Sequence, residues 1–343
     1  MDFQPSEEQR ALRHGIRDVM EGRFGRDALR AAVEAPALDR ELWRAIGEAG
    51  FFALCVPEDA GGVGLGLPEA VLAFEEAGRV LLPGPAVATF LAAGDVEGAA
   101  AGETVVTAVE GELVPWLEEA DVVRGDADGA VAVRSVDPLT PLHRVPAAPN
   151  AGRDRRDLRD RRDCGDPGGR HDLRDCRDPG DRRHPSDLRD RRDPSDRRDP
   201  RPPRHPPAPA HVASLLRAAE QLGSAARTCE SAVQHARSRE QFGGPVGRFQ
   251  AVQHLCAEML VRVELARVAV YAAAVTGDRL EAAGARLLAD DAAVRNARDC
   301  LQVHGGMGFT WESDVHLHLK RAWVRAGLGA GARQAEEDLA GAL

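Results

Sequence analysis

The chain has 343 residues, of which 43% are apolar, and this length and composition are ordinary for a soluble protein of about two or three domains. Its net charge of -10 argues against a general nucleic-acid-binding protein. No apolar run approaches the roughly 18 residues of a membrane span, and no secretory signal is visible, so we expect a cytoplasmic protein. The six cysteines form no CxxC pair and are predicted to be free thiols.

Residues 1–98 are predicted to form a helical domain. Ser6 begins one helix as part of a capping box, and Asp39 can cap a second. A glycine-rich loop at residues 56–66 precedes a third helix at residues 68–82.

Residues 99–149 are predicted to form a reduced middle β-domain. Short runs of β-branched residues predict strands at residues 105–109, 122–123 and 131–133. The Asp128-Gly129 pair indicates a hairpin that joins the last two runs.

Residues 150–210 have a different composition, because Asp recurs at every third position and Arg fills most of the space between. Residues 151–200 hold 16 Arg and 14 Asp with almost no apolar residue, so they cannot build a core. We interpret the segment either as a disordered insert or as the product of a tandem DNA repeat or a displaced reading frame. The segment contains Cys164, His171, Cys176 and His184, but the spacing of these residues matches no usual zinc site. No metal site is therefore predicted.

Residues 211–343 predict a C-terminal four-helix bundle. Its apolar stripes begin at Val212, Phe249, Leu280 and Val315. The fourth stripe is predicted to continue to Leu339. The predicted fold class is therefore mainly α, with an N-terminal helical domain, a reduced middle β-domain and this bundle.

Two motifs at the ends of these helices can bind a ligand. The first is Arg239-Glu240-Gln241-Phe242-Gly243, followed by residues 249–254; the second is Gln302-Val303-His304-Gly305-Gly306-Met307-Gly308. A guanidinium binds phosphate oxygens well, and closely spaced glycines make a tight turn or let a ligand approach the backbone. The presence of both motifs in one bundle favours ligand binding over a simple tight turn.

With these motifs the chain resembles the acyl-CoA dehydrogenase family over residues 1–149 and 211–328. Also typical of that family are Val56-Pro57-Glu58, Glu75-Glu76-Ala77-Gly78-Arg79 and Val136-Asp137-Pro138-Leu139-Thr140-Pro141. The resemblance implies FAD as cofactor and α,β-dehydrogenation of an acyl-CoA thioester. It also implies a dimer of dimers and an electron-transfer flavoprotein or similar acceptor.

Carried over by position, the resemblance assigns cofactor contacts to both motifs. Arg239 would reach the FAD pyrophosphate across a dimer interface, and Gln241, Phe242 and Gln250 would line the same FAD. The adenosine end would be held by Gln302, Val303, His304, Gly305 and Gly306. One chain would carry only part of each site, so we expect a homo- or hetero-oligomer.

The catalytic base is not assigned, because the usual glutamate position falls at Gly329 and the alternative family position at Ala213. Glu220 is a candidate base; alternatively it forms a structural ion pair with an arginine such as Arg217 or Arg227. Three histidines near the predicted site could also accept a proton: His304, His316 and His318.

Two functions within the family remain open, an FAD-dependent dehydrogenase with a displaced base and a non-catalytic partner subunit that lends its motifs to another chain's flavin. The missing glutamate favours the partner subunit. A third possibility is a helical binding protein whose Arg/Asp-rich segment is functional, although interleaved Asp cancels the charge that RNA binding needs.

Overall fold

A computed structural model describes residues 5–146, 210–329 and 331–342. The N-terminal helices are α1 (Glu7–Arg23), α2 (Arg26–Glu34), α3 (Arg40–Glu48), α4 (Leu67–Arg79) and α5 (Ala86–Ala92). The predicted capping box is present, since the Gln9 amide donates to Ser6 Oγ and the Gln9 side chain accepts from the Ser6 amide. Asp39 caps α3 by accepting from two backbone amides.

The β region has five strands of three residues: β1 (Val106–Ala108), β2 (Leu113–Pro115), β3 (Val122–Arg124), β4 (Val131–Val133) and β5 (Leu142–Arg144). β1 pairs in parallel with β3, and β5 lies between β2 and β4 in an antiparallel sheet. The predicted hairpin of β3 and β4 is wrong. Gly129 does make a turn with positive φ, but the two flanking strands pair with β1 and β5 in different sheets.

The C-terminal region contains α6 (Ala210–Ser238), α7 (Gln250–Thr276), α8 (Arg279–His304), α9 (Val315–Gly327) and α10 (Gly331–Ala340). A hairpin of β6 (Glu240–Gln241) and β7 (Gly244–Pro245) joins α6 to α7. The mainly helical fold class is confirmed. The prediction of one fourth helix to Leu339 is wrong, because glycines in the left-handed region, Gly329 and Gly331, separate α9 from α10.

Several sequence predictions fall outside the described residues. These include almost all of the 150–210 segment and the thiols of Cys164 and Cys176. The four described cysteines are free, as predicted: Cys55, Cys229, Cys256 and Cys300. Among the described helices, none is both long and apolar enough to cross a membrane. The domain boundaries stay predictions.

Helix α4 connects the N-terminal helices to the bundle and is buried along its length from Ala70 to Arg79. It crosses α6 at two glycines. A Cβ on Gly78 would lie 2.0 Å from the Glu220 carbonyl oxygen, and a Cβ on Gly223 would lie 1.8 Å from the Glu75 carbonyl oxygen. The two backbones therefore touch, and apolar residues of both regions form one continuous core.

A buried arginine joins the β region to both helical regions. The Arg321 guanidinium, on α9, pairs with Asp137 and donates to the carbonyl oxygens of Leu82 at 3.0 Å and Leu139 at 3.2 Å. Asp137 is fully buried and also accepts from Thr140 Oγ1 at 2.6 Å. This network fixes the position of the β region relative to α9.

The glycine crossing predicts a large packing effect. Gly78→Ala and Gly223→Ala should each destabilise the protein by about 1–3 kcal/mol or more, because the added methyl group meets backbone that cannot move aside. Gly284→Ala on α8 is the matched control, since its Cβ would meet no atom within 4 Å; it should stabilise slightly. Urea unfolding checks this, and equal midpoints for the three variants would contradict the close crossing.

Candidate functional site

The first predicted cofactor segment is an exposed two-residue hairpin at the end of α6. Phe242 and Gly243 occupy its turn, both with positive φ, and the Phe242 side chain is 81% exposed. Arg248 supports the turn by donating to the carbonyl oxygens of Phe242 and Gly243, and its guanidinium lies 5.1 Å from the Phe249 ring centroid. The hairpin thus holds a large aromatic side chain out in solvent in a conformation unusual for a non-glycine residue.

The second predicted segment begins in the last turn of α8, which ends at His304, and continues into a short 3-10 turn, Gly305–Phe309. A Cβ on Gly305 or Gly306 would meet no atom within 4 Å, so internal packing does not require glycine there. The positive φ of Gly305, +62°, does favour glycine. The open space beside both residues is compatible with the approach of a ligand or another chain.

The structure brings the two segments to the same end of the bundle. The His235 ring on α6 stacks on the His304 ring at the end of α8, with centroids 4.1 Å apart. The Arg239 amide donates to the His235 carbonyl oxygen at 2.8 Å. His235 therefore contacts both Arg239, which begins the hairpin, and His304, which precedes the glycine loop.

Most of the predicted cofactor-contact residues are accessible. The exposed ones are Arg239, Gln241, Phe242, Gln250, Gln302, Gly305 and Gly306, and His304 is half-buried. Val303 differs, because its side chain is only 9% exposed and packs in the core. Its side chain is therefore not placed to contact a ligand.

The position of the usual base faces an ion pair instead of open space. A Cβ on Gly329 would lie 3.4 Å from Arg217 Nη1 and 4.0 Å from Glu110 Oε2. Arg217, on α6, pairs with Glu110, which follows β1, and both residues are buried. The alternative position, Ala213, lies in the first turn of α6 and packs against the core.

Glu220 is paired with an arginine, but not with either arginine suggested by the sequence. Arg325 Nη2, on α9, donates to Glu220 Oε1 at 2.8 Å, and both side chains are buried. Burial lowers the pKa of Arg325 to about 10, against the opposing effect of Glu220. This geometry favours the structural interpretation of Glu220.

The two ion pairs line a small cavity between the β region and the bundle. Its volume is about 40 Å³, and Trp116 and Leu328 also contribute to its wall. Glu110 Oε2 and Arg325 Nη1 are buried without a hydrogen-bond partner. Burial raises the pKa of Glu110 even though Arg217 opposes this shift.

The three histidines named as possible bases lie away from this cavity. His304 Nδ1 donates to the Cys300 carbonyl oxygen at 2.8 Å, and His316 stacks on Trp311. His318 is buried, with its Nδ1 2.8 Å from Ser224 Oγ. Burial, reinforced by surrounding arginines, lowers the pKa of His318 to about 3, so it is neutral at pH 7.

Sequence reasoning missed Glu110 and Arg325 and did not recognise that Arg217 faces Gly329. Glu110 lies in a turn between short strands, and nothing in its neighbours marks it as buried. Arg325 falls on the inner face of α9, where a charged residue among apolar ones was the available signal.

Most of the chain is similar to known proteins. A model of the acyl-CoA dehydrogenase N-terminal domain matches residues 6–100, and one of the acyl-CoA dehydrogenase C-terminal domain matches residues 211–336. Acyl-CoA dehydrogenase IpdE2 of Mycobacterium tuberculosis (strain ATCC 25618 / H37Rv) is 34% identical over 326 residues, which cover 93% of this chain and 92% of that protein.

Solved structures share the fold at lower identity. The ChsE4-ChsE5 complex from Mycobacterium tuberculosis matches with a TM-score of 0.71 at 20% identity, covering 99% of this chain and 98% of its own. PigA with FAD and proline matches with a TM-score of 0.73 at 15% identity, covering 100% of this chain and 99% of its own.

The structural role of Glu220 can be tested by removing its charge. Glu220→Gln should destabilise the protein by about 3 kcal/mol or more, because the fully buried Arg325 loses its compensating charge. Glu337→Gln is the control, since its pair with Arg333 is exposed and should change stability by less than about 1 kcal/mol. Urea unfolding of both variants checks the difference, and an unchanged midpoint for Glu220→Gln would refute the structural role.

Burial of neutral His318 predicts a pH dependence of stability. The pKa of its imidazole is near 6.5 when unfolded and about 3 when folded, so only the unfolded chain gains this proton as the pH falls below 6.5. Between pH 7 and pH 5 wild type should therefore lose about 2 kcal/mol more than His318→Asn, which keeps a polar atom near Ser224. Urea unfolding at both pH values measures this. His14→Asn, on the exposed face of α1, is the control and should show the same change of stability with pH as wild type. If His318→Asn also shows the wild-type change, the burial of a neutral His318 imidazole is contradicted.

Proposed function

Since the chain belongs to the acyl-CoA dehydrogenase family, we propose that it acts there as a non-catalytic subunit that completes the flavin site of a catalytic partner. In this role it lends Arg239, the hairpin and the Gly305–Gly306 loop to a cofactor bound mainly by the other chain. Oxidoreductase chemistry on an acyl-CoA then belongs to the assembly.

The Arg217–Glu110 pair in front of Gly329 carries this proposal. A proton-abstracting carboxylate is missing at Gly329 and Ala213, and the space that a base would face is filled by charged side chains. The adjoining cavity of about 40 Å³ is far below the roughly 300–1,000 Å³ of a ligand pocket. An acyl thioester does not fit there without breaking buried ion pairs.

FAD is the cofactor, as predicted, because the chain belongs to this family. The residues present fit part of that group. Arg239 offers a guanidinium to the pyrophosphate, Phe242 offers a ring face, and the glycine loop has open space for the adenosine end. When bound, FAD supplies the hydride acceptor for α,β-dehydrogenation.

The outer face of α7 supports assembly with another chain. Several apolar side chains of this helix are 50–58% exposed: Leu260, Val261, Leu265, Val268 and Val275. A contiguous exposed apolar face on a water-soluble bundle is typical of an interface. The ChsE4-ChsE5 structure, which shares this fold, is described as a complex. An electron-transfer flavoprotein or a similar acceptor would receive electrons from the assembly.

One observation favours the alternative, a dehydrogenase with a displaced base. The Glu110 carboxylate lies where a side chain on Gly329 would point, and burial raises its pKa as expected of a general base. Its pairing with Arg217 opposes proton uptake. Activity of the chain by itself, abolished by Glu110→Gln, would establish this alternative.

Dye reduction with a panel of acyl-CoA thioesters tests the proposal. The purified chain alone, supplied with FAD, should show no dehydrogenation, because Gly329 and Ala213 carry no carboxylate and the cavity in front of Gly329 is only about 40 Å³. Dehydrogenation should appear once a catalytic homologue from the same organism is added. Steady turnover by this chain alone would overturn the non-catalytic role.

Arginine variants of the co-expressed complex test the lent half-site. Arg239→Ala should weaken FAD retention by about tenfold or more, through loss of a charge-assisted contact to phosphate. Arg237→Ala is the matched control, since Arg237 is equally exposed two residues earlier on α6 but lies outside the predicted motif. Flavin absorbance per complex after gel filtration measures retention. Equal retention by both variants would count against the assignment of Arg239.

A further inference from the structure

We propose that His235 is a positioning residue for the cofactor half-site, and that it fixes the Gly305–Phe309 loop relative to Arg239 by stacking on His304. The inference deepens the proposed function and rests on it for the identity of the bound group. The contact between the two segments lies within one chain, so it can be tested without the partner or the cofactor.

His235 supports both segments through different atoms. Its carbonyl oxygen accepts from the Arg239 amide at 2.8 Å, which holds the start of the hairpin against the last turn of α6. Its imidazole stacks on His304 with centroids 4.1 Å apart and an angle of 25° between the planes. One residue thus connects the ends of α6 and α8.

His304 in turn supports the loop. Its Nδ1 donates to the Cys300 carbonyl oxygen, because a carbonyl can only accept, and this fixes the ring on the last turn of α8. The loop folds back on the same residue, since a Cβ on Gly308 would lie 3.0 Å from the His304 Cβ. The Leu301 carbonyl oxygen lies equally close to that Cβ, so the loop packs on the last turn of α8, whose His304 side chain the stack with His235 holds in place.

The stack is sensitive to protonation. Burial lowers the pKa of His235, and the positive charges of His304 and Arg239 lower it further. These two groups face it from α8 and from the end of α6, and residues 305–309 carry no titratable side chain. The nearby Cys300 stays a neutral thiol, because burial raises its pKa to about 12. A proton gained by His235 would place its charge against the His304 ring and beside Arg239, so acid should separate the two rings.

Hydrogen exchange of the loop amides tests this inference in the full chain without cofactor. Three variants are compared with wild type after correction for the intrinsic exchange rate at pH 7.5 and pH 5.5. His235→Phe keeps a ring that cannot be protonated, His235→Ala removes the ring, and His14→Phe alters an exposed histidine on α1.

Exchange at residues 305–309 should be about tenfold faster in His235→Ala than in wild type at pH 7.5. Wild type and His14→Phe should exchange faster at pH 5.5 than at pH 7.5, whereas His235→Phe should stay protected at both. Unchanged exchange in His235→Ala, or an acid-induced increase retained in His235→Phe, would overturn the inference.

FAD retention by the co-expressed complex gives the second readout. His235→Phe should keep its flavin at pH 5.5 better than wild type, and equal loss from both would overturn the link between the stack and the cofactor. A complex that binds no FAD at any pH contradicts the proposed function instead, and loop exchange then decides the role of His235 separately.

Discussion

The position of the β region depends on the buried contact between Arg321 and Asp137. Asp137 lies between β4 and β5, Arg321 lies on α9, and the same guanidinium reaches the Leu82 carbonyl oxygen beyond α4. Five strands of three residues have little core of their own, so a charged contact with several hydrogen bonds sets their orientation. The glycine crossing of α4 and α6 completes the frame by bringing Gly78 and Gly223 to backbone contact.

Within this frame, charged side chains face Gly329. Two ion pairs, Arg217–Glu110 and Arg325–Glu220, link the β region, α6 and α9 around a small cavity. Such pairs stabilise a fold only while both partners remain, since a single buried charge is costly. The two predicted cofactor segments, in contrast, lie exposed at the bundle end, where another chain can reach them.

Much of the fold could be predicted because it depends on local patterns. The capping residues Ser6 and Asp39 and the periodic stripes of α6, α7 and α8 give correct helices, since capping and amphipathicity act within one or two turns. The strand pairing was mispredicted, because Gly129 fixes a turn but cannot fix which edges β3 and β4 use. Similarly, a stripe through Leu328 looked continuous, and two glycines with positive φ ended the helix.

The sequence by itself determined the mainly helical class, the residues of the two motifs and the absence of a carboxylate at Gly329 and Ala213, because each follows from residue identity and spacing. Only the tertiary structure decided which side chains face Gly329 and how the two motifs are held together. Glu110 is 107 residues from Arg217 along the chain, and Glu220 is 105 from Arg325. His235 and His304 meet because α6 and α8 end side by side. Pairings of this kind follow from helix packing and burial, which no local pattern encodes.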